Sequence, residues 1–426
     1  MADYKGLPYL KNKLELKRPR VLERYKYYDM KNRVRDFNIS TPPDLRYWFS
    51  CLGWCGTAVD SIADRMNFRE FKNDIFGINE IFQMNSSDIF LDSICKGALI
   101  SSCDFAYISP DDNGFPRLQA IDGGNATGEL DPITNLLTEG YAVLERNSDT
   151  GLPTLEAYFL PYETQYYLRG ELLRTFKHSV PYPLLVPVIY RPDASRPFGR
   201  SRISRACMSL MESAIRTVKR SEISAEFYSY PQKWVAGLSQ DAEQMDKWKA
   251  SMSSLLAFTK DSDNDHPVVG QFQQQTMAPH MEQLKMFAAL FAGETGLTLD
   301  DLGFVASNPS SAESIKASHE TLRLTARKAQ SYFGTAFLNI GMVAACLRDN
   351  YAFNRSVFYR TTASWYPVFE PDYAALSQVG DGAIKINQAV PGFFDSESLS
   401  NMTGIDPAEG AGNVSEITSG ALQENT

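Results

Sequence analysis

Histidine is scarce in this chain. Its four copies, His178, His266, His280 and His319, lie in different segments with no evident carboxylate or serine partner. That leaves little from which to assemble a general base or a metal centre. No GxxxxGK[ST] run is present to cradle a nucleotide triphosphate, and no GxGxxG to hold a dinucleotide. GRSRIS (199–204) lacks the second glycine of a nucleophile elbow. DSDNDH (261–266) imitates the start of a calcium loop but has His266 at its sixth position and Phe272 at its twelfth, so it reads as an acidic solvated loop. Cysteine is sparse and shows no disulfide framework, which points to a reducing cytoplasm. Cys51 and Cys55 are placed i, i+4 on one expected helix face and could share a zinc. Two further ligands are missing, so buried thiols are the expectation. The start, MADYKGLPYLKNK, has no signal-peptide core, and the longest apolar run, FGTAFLNIGMVAAC, is too short for a membrane span. A soluble, cytosol-made protein without a cofactor or metal is the expectation.

The net charge of −9 argues against a general nucleic-acid binder. That average hides a gradient. Residues 1–41 carry eleven Lys/Arg against five acids, and residues 196–220 carry seven against one. Residues 370–426 reverse this, with nine acids and the single base Lys385. Such polarity suits an extended molecule whose ends meet different surroundings.

Helical spacing dominates early. TPPDLRYWFSCLGWCGTAVDSIADRM (41–66) predicts a helix with good start signals, followed by GINEIFQM and SSDIFLDSICKGALI. Three hairpins come next, turning at Asn113-Gly114, Thr150-Gly151 and Gly170, and predict an antiparallel meander with one buried face. The Pro-rich PYPLLVPVIYRPDASRPFG reads as a boundary. Beyond it, residues 203–230 predict an amphipathic helix with Ile203, Ala206, Leu210, Ala214 and Val218 on one stripe. A small α/β module of strand, helix and strand follows, then a second helix, APHMEQLKMFAALFAGETGL. YAFNRSVFYRTTASWYPVF alternates like a strand, and a short helix is expected at DYAALSQVGDGAI in the acidic tail.

The run ASNPSSAESI (306–315) builds a careful helix start. Ser310 can cap, and Glu313 can reach back to it. No proline follows until beyond Asn350, so the spacing predicts one helix of roughly 60 Å, with Gly334 and Gly341 as bend points. Asp300-Asp301 could be paired carboxylates, but a helix start or turn explains them equally well. A small module held between two long helices is the pattern of a stalk, and a stalk needs neighbouring copies to cover its apolar stripe.

Two blocks carry a resemblance. RPFGRSRISRACMSLMESAIRTVKRSEISAEFYSYPQKWVAG and FAALFAGETGLTLDDLGFVASNPSSAESIKASHETLRLTARKAQ resemble the stem helices, clip entry, tunnel loop and long wing helix of the portal (head-to-tail connector) proteins of long-tailed bacteriophages. General architecture extends the likeness over roughly residues 20–400. The resemblance implies an α+β portal fold with a helical and antiparallel-β wing (1–200), a first stem helix (201–230) and a small α/β clip (231–276). A second stem helix (277–296), a tunnel loop (297–311), a long wing helix with strands (312–370) and a small crown with an acidic tail (371–426) complete it. The short tail leaves room for only a small crown.

It also implies a non-enzymatic homo-oligomer of about twelve copies at one capsid vertex, through which double-stranded DNA enters and leaves. Twelve helices about 10 Å apart would ring a clear bore of roughly 28 Å. A conduit must not grip phosphates, because counterion release would stall sliding, and an acidic chain suits that need. The tunnel-loop candidates are Leu302, Gly303, Phe304, Val305, Ala306, Ser307 and Asn308. Arg216, Lys219 and Arg220 on the first stem helix would face the duplex or pair with a neighbour's acids. Asp261, Asp263 and Asp265 in the clip would meet the terminase large subunit and later a head-completion adaptor protein, though ordinary solvation explains them too. Major capsid and scaffolding proteins are the other implied partners, with synthesis in the host bacterial cytoplasm, residence in the virion and no membrane. Two rivals stay open: a ring or minor head protein that never touches DNA, and a nucleic-acid-processing enzyme with a scattered site.

Overall fold

The computed structural model describes residues 4–35, 43–229, 233–236, 268–271, 276–304, 312–369, 373–403 and 405. The first helices are α1 (Leu7–Tyr28), α2 (Trp54–Ala63), α3 (Ile78–Met84) and α4 (Ser87–Ser101), with strand β1 (Phe68–Lys72) between α2 and α3. Strands β2 (Cys103–Pro110), β3 (Pro116–Ile121), β4 (Ala126–Leu130) and β5 (Leu137–Arg146) follow. Then come β6 (Pro153–Leu160), β7 (Glu163–Leu168), β8 (Glu171–Lys177) and β9 (Leu185–Ile189). Helix α5 (Arg205–Ser229), strands β10 (Lys233–Ala236) and β11 (Val268–Gln271) and helix α6 (Ala278–Thr295) come next. Helices α7 (Ala312–Ser318) and α8 (Glu320–Arg348), strand β12 (Thr362–Trp365) and helices α9 (Tyr373–Ala389) and α10 (Ser396–Thr403) close the chain. The class is α+β, with antiparallel pairing throughout the described strands.

The chain divides into two compact units. The first gathers residues 1–25, 58–203 and 312–426, and the second residues 26–57 and 204–311. Residues 26–57 thus cluster with the helix pair α5–α6 and not with the rest of the N-terminal third.

The three expected hairpins do not form one meander: the one turning at Asn113-Gly114 joins β2 and β3 in a separate sheet, while in the first unit β4-β5-β6-β7-β8 form a meander with tight turns at Gly151 and at Arg169-Gly170. Helix α1 docks on it. Leu10 and Leu14, one turn apart, bury against Tyr141, Val143 and Tyr158, each worth about 1.5–3 kcal/mol relative to exposure. Two buried carboxylates of the sheet complete the dock. Glu139 accepts the N–H of Lys5 at 2.8 Å and the hydroxyl of Tyr158 at 2.7 Å. Glu156 takes the ammonium of Lys11 at 2.9 Å and the hydroxyl of Tyr141. Sequence reading treats residues 7–28 by charge alone, because Pro19 and the mostly polar run obscure a narrow apolar stripe.

A second sheet, β3-β2-β9, carries α4 and α8. Strand β9 lies inside the Pro-rich stretch read as a connector. All five of its residues are buried, and its register sets Cys103 opposite Ile189. A continuous apolar run hides a buried strand from any period-two test.

Helix α8 is a spine of the first unit, burying Phe333, Phe337, Ile340 and Val343 among others. The expected single helix from 312 to 350 is instead two. The break falls at Ser318-His319, where the Ser318 hydroxyl donates to the Ile315 carbonyl at 2.7 Å and His319 Nδ1 lies 2.9 Å from the same oxygen. Side chains that satisfy a helical carbonyl compete with the backbone ladder. Helix α8 runs without a break through Gly334 and Gly341, the expected bend points. A Cβ on Gly334 would sit 3.0 Å from Ala363 Cβ, so the glycine admits the short β1–β12 ribbon against the helix. That ribbon uses only four residues of the stretch that alternates from Tyr351 onward; Arg355–Phe358 forms a 3-10 turn. In the tail, the expected helix is α9, and α10 follows it.

The helix expected over 41–66 is reduced to a 3-10 turn at Pro43–Leu45 and α2. Cys51 therefore lies outside any helix and is exposed, while Cys55 is buried, so the two do not share a helix face.

Candidate functional site

The second unit is built on α5 and α6, which pack antiparallel. Ser204 donates to Glu294 at 2.8 Å at one end and Thr217 to Gln283 at 3.3 Å further along. Helix α6 has Pro279 in its first turn and ends at Gly296, whose φ of 72° suits glycine and whose N–H closes on Ala292. It buries Ala288, Phe291, Ala292 and Thr295. The covered stripe of α5 is Cys207, Met211, Ala214, Ile215 and Ile223. The expected stripe is rotated from this, because Ala206 is exposed and Leu210 and Val218 are only partly covered. Cysteine at 207 and methionine at 211 carry as much apolar surface as the alanines and valine counted from sequence. Burial pushes the Cys55 thiol far above its ordinary range, with Cys207 beside it adding to the shift. Both thiols are packing groups.

An N-terminal strap lies on this pair. Glu222 of α5 accepts the Trp48 indole N–H at 2.9 Å and the Ser50 hydroxyl at 2.7 Å, and Trp54 packs on Phe291 with ring centroids 5.6 Å apart. Tyr27 donates to Glu212. Lys219 is buried, and its ammonium donates to the Arg46 carbonyl at 3.3 Å. Arg216 is half-buried, 3.5 Å from Glu212 and 3.0 Å from the Ser213 hydroxyl. Arg220 is partly covered. Strap and helix border an open cleft of about 180 Å³ that brings Arg216 and Lys219 together with Arg35, Arg46 and Asn32.

The outer face of α6 is different. Met286 and Leu290 are exposed, and Gly293 beside them has open space where a Cβ would stand.

No known family model matches the chain. Single proteins do. Over 336 residues it is 26% identical to the portal protein of Mycobacterium phage L5, covering 73% of this chain and 68% of that one. The chain is a homologue of phage portal proteins. It is also 24% identical over 408 residues to the portal protein of Mycobacterium phage D29, covering 90% and 82% of the two chains. Among solved structures, a chain from the virion of a native gene transfer agent particle superposes with a TM-score of 0.45 at 12% identity, over 91% of this chain and all of that one.

In this portal homologue the start of the tunnel-loop candidate is an ordered turn. Asp301 accepts the N–H and hydroxyl of Thr298 at 2.8 and 2.9 Å, so Asp300-Asp301 make a 3-10 turn and not a facing carboxylate pair. Leu302 is buried, Gly303 has φ +87° and Phe304 is partly covered. Val305, Ala306, Ser307, Asn308 and Ser310 lie outside the described residues, as do Asp261, Asp263 and Asp265. The strap residues Asn32, Arg35, Arg46 and Trp48 escape sequence reading. Their signal is the adjacency of basic residues to the Tyr47-Trp48-Phe49 triplet, which short-range periodicity does not weigh. Among the described residues no group of three His, Cys, Asp or Glu could hold a metal ion, and no helix is long and apolar enough to cross a membrane.

Proposed function

We propose that this portal homologue assembles into a ring of about twelve copies at one capsid vertex, a passive conduit for double-stranded DNA during packaging and ejection. The observation that carries the reading is the similarity to two curated portal proteins, one of them over 90% of this chain. The helix pair supports it physically. One face of α6 is covered by its own unit while Met286 and Leu290, on the opposite face, stand open to a neighbour. In this reading residues 297–311 form the tunnel loop, and residues 231–276 form the clip that meets terminase and then an adaptor protein. Major capsid and scaffolding proteins surround the ring in the virion, and the chain has a structural and not an enzymatic role.

End-on electron micrographs of the purified protein, rotationally averaged, test this directly. Rings of about twelve subunits with an open centre are expected. A chain that stays monomeric both alone and when coexpressed with its capsid and scaffolding proteins would overturn the proposal.

A further inference from the structure

The second unit carries two apolar surfaces that its own packing leaves open. One is the outer face of α6, where Met286 and Leu290 are half-exposed and Gly293 leaves open space. The other is the strap, where the consecutive residues Tyr47, Trp48 and Phe49 are 72%, 51% and 65% exposed. Three neighbouring aromatic rings left in water mark a contact surface. They are not loose: the Trp48 N–H donates to the Leu45 carbonyl at 3.2 Å, its indole N–H donates to Glu222, and Arg33 stacks 5.5 Å over the Phe49 ring.

The two surfaces lie on different sides of the helix pair. Helix α5 reaches α6 through Thr217 and Ser221, which donate to Gln283 and to the Met277 sulfur. It holds the strap through Glu212, Lys219 and Glu222. At about 100° per residue, Thr217 and Lys219 point roughly 200° apart around α5. Met286 and Leu290 in turn lie opposite the buried Ala288 and Ala292 of α6. One copy therefore does not bring its aromatic triplet onto its own α6 face. Two unlike patches on opposite sides of one element are what a head-to-tail contact needs, whereas a two-fold contact would set each patch against itself.

We propose that Tyr47, Trp48 and Phe49 of one copy dock on the Met286 and Leu290 face of α6 in the next copy, with Arg35 set against Glu282. The contact rests on the proposed ring and is the step that repeats around it. The patches match chemically. An unbranched methionine adapts to aromatic rings, and its sulfur favours their edges. The open cleft of about 180 Å³ beside Trp48 and Phe49 gives a protruding side chain a hollow. Charge matches as well: Glu282 is exposed one turn before Met286, and Arg35, also exposed, borders the same cleft.

Crosslinking of the full-length protein tests the contact, in a Cys51→Ser background because Cys51 is exposed and only two residues from Phe49. With Phe49→Cys and Leu290→Cys on one chain, a short bismaleimide should give a ladder of multimers up to about twelve copies, and neither substitution alone should give one. A dimer from Leu290→Cys alone would reveal a two-fold contact and overturn the proposal. Charge reversal gives a second readout. Arg35→Glu and Glu282→Arg should each weaken assembly about ten-fold while the thermal midpoint of the unassembled chain stays unchanged, and the two together should restore it. Rings in micrographs that give no ladder and ignore both reversals overturn this contact and leave the ring standing. A chain that never assembles, alone or with its capsid and scaffolding proteins, overturns both.

Discussion

Gly341 and Ile78 touch so closely that a Cβ on the glycine would stand 2.3 Å from Ile78 Cγ2. Ile78 is wholly buried, so it has no room to give. Gly341→Ala should destabilise the protein by about 1–3 kcal/mol from overpacking, even after the helix-propensity gain of alanine. Gly380→Ala, in α9 with nothing near its Cβ, should instead stabilise by up to about 1 kcal/mol. Denaturant unfolding of the two variants gives the signs. Equal signs would mean that the Ile78 contact is not the constraint.

Glu139 holds the start of α1. It is buried and accepts from the N–H groups of Lys5 and Gly6 and from Tyr158. Glu139→Ala should cost about 2–4 kcal/mol, since it leaves those donors without their acceptor. Amide hydrogen exchange should quicken first at residues 5–14; unchanged protection there would show that the Leu10–Leu14 contact suffices by itself.

Asp104 sits buried under α4, accepting from the Ser101 hydroxyl at 2.7 Å and from the N–H of Gly123 at 2.9 Å. Burial raises its pKa from the ordinary 3.8 to about 7. A raised folded pKa means that its stabilising contribution is complete below about pH 4 and is lost as the pH climbs through about 7. Relative to Asp104→Asn, the wild type should therefore lose thermal stability as pH goes from about 5 to about 8. A flat difference across that window would mean that the carboxyl titrates normally.

The α6 outer face gives the sharpest test of assembly. Met286→Asp and Leu290→Asp fall on exposed positions and should change the stability of the isolated chain by no more than about 0.5 kcal/mol. If this face packs on a neighbour, each substitution should deplete rings in sedimentation and in micrographs. Undiminished rings would place the subunit contact elsewhere.

The candidate site was legible only in part. The helix pair and the acidic turn at Thr298–Asp301 follow from local signals. Arg216 and Lys219 stand out as basic residues on a predicted helix, yet Lys219 is buried beneath the Arg46 carbonyl. Helical spacing alone does not show which face a distant strap will cover, so it gives no reason to group Asn32, Arg35 and Arg46 with them.

By itself the sequence determined the elements whose causes are local: α3 to α6, the Gly-marked hairpins of the meander and the mixed α+β class. Turn chemistry, caps and apolar spacing act over a few residues and can be read in order. Tertiary structure decided the rest. It placed Phe68 opposite Trp365, nearly three hundred residues later, and seated α1 on a sheet through Glu139 and Glu156. It also set Gly341 against Ile78, because what a glycine packs against depends on the neighbour it meets and not on its own helix.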